Sequence, residues 1–507
     1  MPSDSSPRIS SLPPELLIEI FLCHIDLLLK SFHEWDSRPA FWFVVTHVCR
    51  YWRDLALACP QLWTLIFARD RLECISAVLE RSGDMPLDVH HSDSDKSCLH
   101  ATLEALHRIR TLIVHLTDNQ YTEFMHILPR PAPLLRRLSI NTYMIQTDPP
   151  RAEHVLSFLN DVPALQDLST NLYFNEFRHL LPPSLTRLEI PIAPGFMSQV
   201  LECLFSLPLL NDLLLRMGDS FDATYNGRPV SLSHLRRLEI SGSSVNLVHI
   251  LSHLEFPSYI SIHANHIPPH EQWQIQADLL AIIGRKYYGS APSASQPAFD
   301  HTFHIYEYWL TFVIEAWPYG PHISTLAESS MPQPHLFIQL SSANSKFLLP
   351  AIQLHMRLPD VQYMILPAPD GEPRRFISFL NNIIPYLDNM PNLRWLTVQC
   401  WHVSWLATLL QCQSSEDCRF PNLKLLGMDA LSWTRYYPSN VGPAEEIIAG
   451  PRPLFSALES RKKIGRPIEL LSLQYCIDVQ EDIGQLKEVV TTLDWDGLLE
   501  PCPDTSI

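Results

Sequence analysis

Seven segments of this chain align on the pattern Pro/Ser-x-Leu-x-x-Leu-x-apolar, six of them with an apolar last residue and one with Thr170, and that repeat limits the possible folds more than any other feature of the sequence. They are PLLRRLSI from Pro133, PALQDLST from Pro163, PSLTRLEI from Pro183, PLLNDLLL from Pro208, SHLRRLEI from Ser233, PNLRWLTV from Pro391 and PNLKLLGM from Pro421. The starts of the first five, at 133, 163, 183, 208 and 233, are 20 to 30 residues apart. Such a period implies one supersecondary unit per repeat. The central leucines (Leu138, Leu168, Leu188, Leu213, Leu238, Leu396 and Leu426) and the apolar residue two positions later alternate with polar residues, as in a short strand with one buried face. One unit cannot close its own core, so the strands must stack against one another.

Between the segments lie stretches with helical spacing, such as Phe196, Val200, Leu201, Leu204 and Phe205. The expectation is therefore an α/β solenoid with a parallel sheet and an outer helical layer. Proline ahead of each strand is expected to end the preceding helix, since it lacks the donor that a continuing helix needs. The position ten residues after each start, where an Asn or Cys would stabilise a turn, holds Tyr143, Tyr173, Ala193, Gly218, Ser243, Trp401 and Leu431. Residues 257–358 separate two clusters of repeats. Within them 284–301 reads as an exposed loop from its Gly, Ser and Pro content, and HLFIQLS, AIQLHM and PDVQYMIL read as further strands.

An outward row runs through the repeats. Arg137, Asp167, Arg187, Asp212 and Arg237 alternate in sign at the fourth position after each start, and Trp395 continues the row. In a parallel register each charge would face an opposite one about 4.8 Å away. The row is read first as a ladder that fixes register and second as a surface for a target protein.

The front of the chain has a different pattern. Pro13 and Pro14 can open a helix capped by Ser10 or Ser11, with Leu16, Leu17, Ile20 and Phe21 on a broad apolar face. A second helix is expected from Val44 to Ala56, ending before Pro60. Leu12-Pro13-Pro14-Glu15-Leu16-Leu17-x-x-Ile20-Phe21, then Val48-Cys49-Arg50-x-Trp52-Arg53-x-Leu55-Ala56, then Pro60-x-Leu62-Trp63, resembles the F-box, in particular that of the F-box-like proteins of mushroom-forming fungi. The connection from Cys23 to Phe43 is longer than a compact F-box requires.

The resemblance implies that the front end binds the Skp-type adaptor of an SCF-type cullin-RING ubiquitin ligase, and through it cullin. Carried over residue by residue, the implied contacts are Leu12, Pro13, Leu16, Ile20, Val48, Cys49, Trp52, Leu62 and Trp63. The competing reading is that these residues only pack the helices on each other and on the repeats. The expected division is an F-box at 9–67, a linking helix and first strands at 68–132, and a leucine-rich-repeat-like solenoid at 133–500.

Composition narrows the function classes. A net charge of -17 argues against nucleic acid as a partner, because phosphate binding needs a basic footprint. The N-terminus carries Asp4 and no apolar core, so a secretory signal is not expected, and no run is long enough to cross a membrane. Eleven cysteines without a CxxC pair suit a reducing compartment, cytoplasm or nucleus. Cys412 and Cys418 bracket an acidic stretch without zinc-ribbon spacing, and the pairs His90-His91, His263-x-x-His266 and His301-x-x-His304 are read as loop or surface histidines. Phosphate-loop, dinucleotide, nucleophile-elbow and zincin motifs are absent, so neither catalysis nor a cofactor is expected. Two alternatives stand beside the ligase reading: a scaffold that binds the adaptor without ubiquitination, and an enzyme with an unrecognised site in 257–358.

Overall fold

The computed structural model describes residues 12–31, 42–67, 71–92, 96–128, 131–142, 158–159, 161–172, 181–193, 195–218, 225, 227–257, 261–266, 273–288, 302–308, 311–317, 334, 336–341, 345–356, 358–366, 382–388, 390–399, 403–412, 414, 417–429, 452–474, 476 and 479–497. The chain is mixed α/β and divides into two compact units, Met1–Leu235 and Arg236–Ile507. Strand pairing begins as early as residue 65, within the expected 9–67 segment.

In the first unit three helices lead, α1 (Pro14–Ser31), α2 (Trp42–Val48) and α3 (Arg50–Leu57). A 3-10 turn at Pro60–Trp63 delivers β1 (Leu65–Phe67). Then come α4 (Leu72–Arg81), β2 (Leu87–Ser92), α5 (Lys96–Glu104), β3 (Ile109–Leu116) and α6 (Asp118–Ile127). Strands β4 (Arg137–Thr142), β5 (Asp167–Thr170), β6 (Arg187–Ile192) and β7 (Asp212–Met217) follow, with a helix at Met197–Leu204 and the two-residue strand β8 (Val230–Ser231). Strands β1 to β7 pair in sequence order, all parallel. The register places Ile66, Val89, Leu112, Leu138, Leu168, Leu188 and Leu213 in one row, and every member is buried.

The second unit holds β9 (Arg237–Gly242), a helix at Ser244–His253, β10 (Leu254–Glu255) and β11 (Ser261–His266). Next come β12 (Thr302–Tyr308), β13 (Thr311–Trp317), β14 (Leu336–Ser341) and β15 (Tyr363–Leu366). Strands β16 (Trp395–Gln399), β17 (Leu425–Asp429), β18 (Leu470–Gln474) and β19 (Thr492–Trp495) complete it. Pairing runs β9, β11, β14, β13, β12, β15, β16, β17, β18, β19. It is parallel except on the two sides of β13, which is antiparallel to both β12 and β14. The wholly parallel expectation is corrected here to a mostly parallel sheet.

All seven repeat segments give a strand, and each strand starts four residues after its segment does, at Arg137, Asp167, Arg187, Asp212, Arg237, Trp395 and Leu425. The leading proline has a different role from the one expected. In each segment the N–H of the second residue after the start donates to the carbonyl of the residue before it, as Leu135 does to Ala132 at 3.1 Å and Leu423 to Phe420 at 3.0 Å. That is a β-turn with the segment's first residue at its second position, where the fixed φ of proline fits. Consecutive turns are then linked. Asn392 donates to the Pro359 carbonyl at 2.9 Å, Asn422 to Pro391 at 3.0 Å, and Ser184 to Pro163 at 3.1 Å. A polar side chain at the first residue after the start thus links three of the turns, while Leu134, Ala164 and Leu209 hold that place in other segments.

Residues 284–288 are not loop: they finish the helix Trp273–Tyr288, and 289–301 lie outside the described residues. A Cβ on Gly284 would sit 2.4 Å from the His355 carbonyl oxygen, so this glycine serves a close crossing with the helix Ser345–His355. AIQLHM, expected as a strand, lies at the end of that same helix.

Candidate functional site

The front helices are built on two apolar stripes. In α1, Leu17 and Phe21 are buried while Leu16 and Ile20, each one position earlier and so about 100° round the helix, stay 52% and 47% exposed. The N–H groups of Leu16 and Leu17 both donate to the Pro13 carbonyl, which starts the helix. The proposed Ser10 and Ser11 caps, and residues 32–41 of the connection from Cys23 to Phe43, lie outside the described residues.

The single helix expected from Val44 to Ala56 is two. Cys49 adopts extended backbone with φ -157, and its Sγ accepts from the Trp52 N–H at 3.4 Å as the N-cap of α3. Arg53 Nε reaches back to the Thr46 carbonyl at 2.8 Å and satisfies an end group of α2. The break keeps Val44 and Val48 outward at 59% and 54% exposure, with Tyr51 at 40%.

The sequence-derived contact set therefore separates. Leu16, Ile20, Val48 and Cys49 are exposed, as is Pro13, and Leu12 is half-buried. Trp52 is half-buried against Phe21, ring centroids 4.9 Å apart, and its Nε1 has no partner among the described residues. Leu62 and Trp63 are corrected: at 3% and 1% exposure they belong to the core. Trp63 Nε1 donates to the Ala56 carbonyl at 2.8 Å, and Arg81 of α4 lies 4.5 Å over its ring. Val44 and Tyr51 are absent from the set derived from sequence. The four-residue spacing of Val44 and Val48 was the available signal for the first, while Tyr51 stands on α3 beyond the break.

The second surface is the polar face of the first unit's sheet. Arg137, Asp167, Arg187 and Asp212 stand in one register row. Asp167 bridges Arg137 at 3.2 Å and Arg187 at 3.7 Å. Arg187 also bonds Glu189 at 3.3 Å, and Glu189 holds Arg216. The alternation continues as a branched network, since Arg187 turns to Glu189 of its own strand. Burial pushes the Asp167 carboxyl up, and the two arginines oppose that shift. On neighbouring strands, Arg110 grips Asp88, and burial holds His90 and His115 below the ordinary histidine range.

Arg237 lies in the second unit and bonds Glu239 at 3.0 Å. Trp395 does not continue an exposed row. It is 4% exposed and packs on Tyr363 of the neighbouring strand, centroids 5.9 Å apart.

Among the described residues no group of His, Cys, Asp and Glu is arranged to hold a metal, and no helix is long and apolar enough to cross a membrane. No protein-family model matches the chain, and no curated protein matches it.

Proposed function

We propose that the chain is the target-recognition subunit of an SCF-type cullin-RING ubiquitin ligase, bound to the Skp-type adaptor through α1, α2 and α3. The observation that carries the reading is the set of aliphatic side chains left in solvent on these packed helices, namely Leu16 and Ile20 on α1 with Val44 and Val48 on α2. Isolated exposed leucines are ordinary, but several at helical spacing within one small helical cluster mark an interaction face. Leu16, Ile20 and Val48 coincide with positions through which the resemblance brings the adaptor into contact, and Val44 adjoins Val48 on α2. An interface of about 1,200–2,000 Å² with a few apolar anchors fits such a face.

In this reading the parallel array is an irregular leucine-rich-repeat-like solenoid, and its polar face, with Arg137, Asp167 and Arg187, meets the target protein. The chain performs no chemistry itself. It raises the effective concentration of target lysines near a ubiquitin-loaded enzyme. The test is adaptor capture by the full chain and by Val48→Asp and Ile20→Asp, with thermal unfolding as the control for folding. Capture is expected to be lost in both variants at unchanged stability, and undiminished capture by both would refute the interface.

A further inference from the structure

The charged groups on the outer face of β3 to β7 do not share the solvent equally. The side chains of Arg110, Arg137 and Arg216 are 48%, 50% and 54% exposed, whereas those of Asp88, Asp167 and Glu189, to which they are paired, are 24%, 21% and 12% exposed. Each pair is therefore layered, with the carboxylate below and the guanidinium on top. Ion pairs elsewhere lack that layering, since both partners are exposed in Lys424 with Glu469 and in Lys463 with Glu459. The carboxylates neutralise the face from below, and an approaching partner meets guanidinium.

The same carboxylates fix the arginines and leave donors unused. Arg137 spends Nε on Asp167 at 3.2 Å, Arg216 spends Nη2 on Glu189, and Arg110 spends Nε and Nη2 on Asp88. Both terminal nitrogens of Arg137, and Nη1 of Arg110 and of Arg216, have no hydrogen-bond partner among the described residues. The two terminal nitrogens of one guanidinium form the fork that takes a carboxylate through two parallel N–H donations. Neighbouring strands lie about 4.8 Å apart, so β3 and β7 are separated by about 19 Å, which about six residues of extended chain can span. Asp212, in the register row of Arg187, forms no ion pair among the described residues and bounds the cationic area at the start of β7.

We infer that this face takes an acidic segment of the target protein, a short extended run rich in Asp or Glu, with Arg137 as the central carboxylate-binding group and Arg110 and Arg216 beside it. The inference rests on the reading of this face as the target surface and adds the chemistry of what it takes. The net charge of -17 does not oppose a short acidic run, because charges more than about 8 Å away are screened at physiological salt and the local guanidiniums decide. A long polyanion such as nucleic acid reaches past the patch to the negative remainder of the chain.

The test is fluorescence anisotropy of labelled hexaglutamate with the purified full chain, and the comparison probes are hexalysine, a Gly-Ser hexamer and a single-stranded DNA hexamer. Hexaglutamate is expected to bind more tightly than all three, about tenfold more weakly to the double variant Arg137→Gln, Arg216→Gln, and unchanged to Lys463→Gln, which removes an exposed charge on the helix Arg452–Lys463. Hexaglutamate that fails to bind, or that binds the double variant as tightly as the wild type, overturns the inference. Equal or tighter binding of any comparison probe also overturns it. Thermal unfolding controls for folding. Should the double variant not fold, Arg216→Gln alone decides, with a loss of about threefold expected and no loss overturning the inference. The readout is separate from adaptor capture. Hexaglutamate binding that fails while capture stands removes the acidic target alone, and capture that fails while hexaglutamate binds removes the ligase reading alone.

Discussion

Leu16 and Leu17 are chemically identical neighbours, yet one is exposed and the other fully buried. Ile20 and Phe21, both large and apolar, divide in the same way, and helical phase sets the difference as Phe21 packs on Trp52. Composition cannot separate such pairs, which is why Leu62 and Trp63 look like contacts until their burial under α4 is seen. Trp63→Ala is expected to cost about 3–5 kcal/mol in chemical denaturation, because it leaves a cavity and removes the indole hydrogen bond to the Ala56 carbonyl. Val48→Asp should change stability by no more than about 0.5 kcal/mol, since the side chain already stands in water. A second residue-scale prediction concerns His90, which faces Asp88, Arg137, His115 and the ring of Phe67. Burial lowers its pKa in the fold, so the unfolded chain takes up the proton first as pH falls. The stability it contributes is present at neutral pH and lost on acidification through the ordinary histidine range, and His90→Gln should flatten that slope in pH-dependent melting.

At the scale of elements, the strands of the seven segments were legible because two leucines at fixed spacing demand one buried face and the turn residue sits at a fixed offset. Their common start at the fourth position follows from the turn, whose Leu185 and Leu210 counterparts are buried beneath it. Leu188→Ala should therefore cost about 2–5 kcal/mol, as it opens a void in the middle of a row of buried aliphatics. What was not legible has local causes. The antiparallel strand β13 carries no repeat signature, and it pairs both with β12, which ends only three positions before it starts, and with β14. Gly284 reads as a loop residue by composition, but it is a crossing point between two helices. Gly284→Ala, which brings a Cβ against the His355 carbonyl, is expected to destabilise by about 1–3 kcal/mol, measured by urea unfolding. The charged row is worth less: a double-mutant cycle on Arg137 and Asp167 should give a coupling of about 0.2–1 kcal/mol, as for partly exposed pairs.

At the scale of the whole molecule, two compact α/β units contain long runs of parallel strands, and the first begins with helices whose aliphatic face is unused by the described fold. A net charge of -17 keeps such a chain soluble and favours basic or neutral partners. The ligase reading and the scaffold reading share the adaptor contact and differ in what lies beyond it. Size-exclusion chromatography of the purified full chain with a Skp-type adaptor and cullin separates them. The account predicts a three-component complex that dissociates when Val48 is replaced by Asp. Adaptor co-eluting without cullin would contradict the ligase assignment, and a chain that elutes alone would contradict the docking face itself.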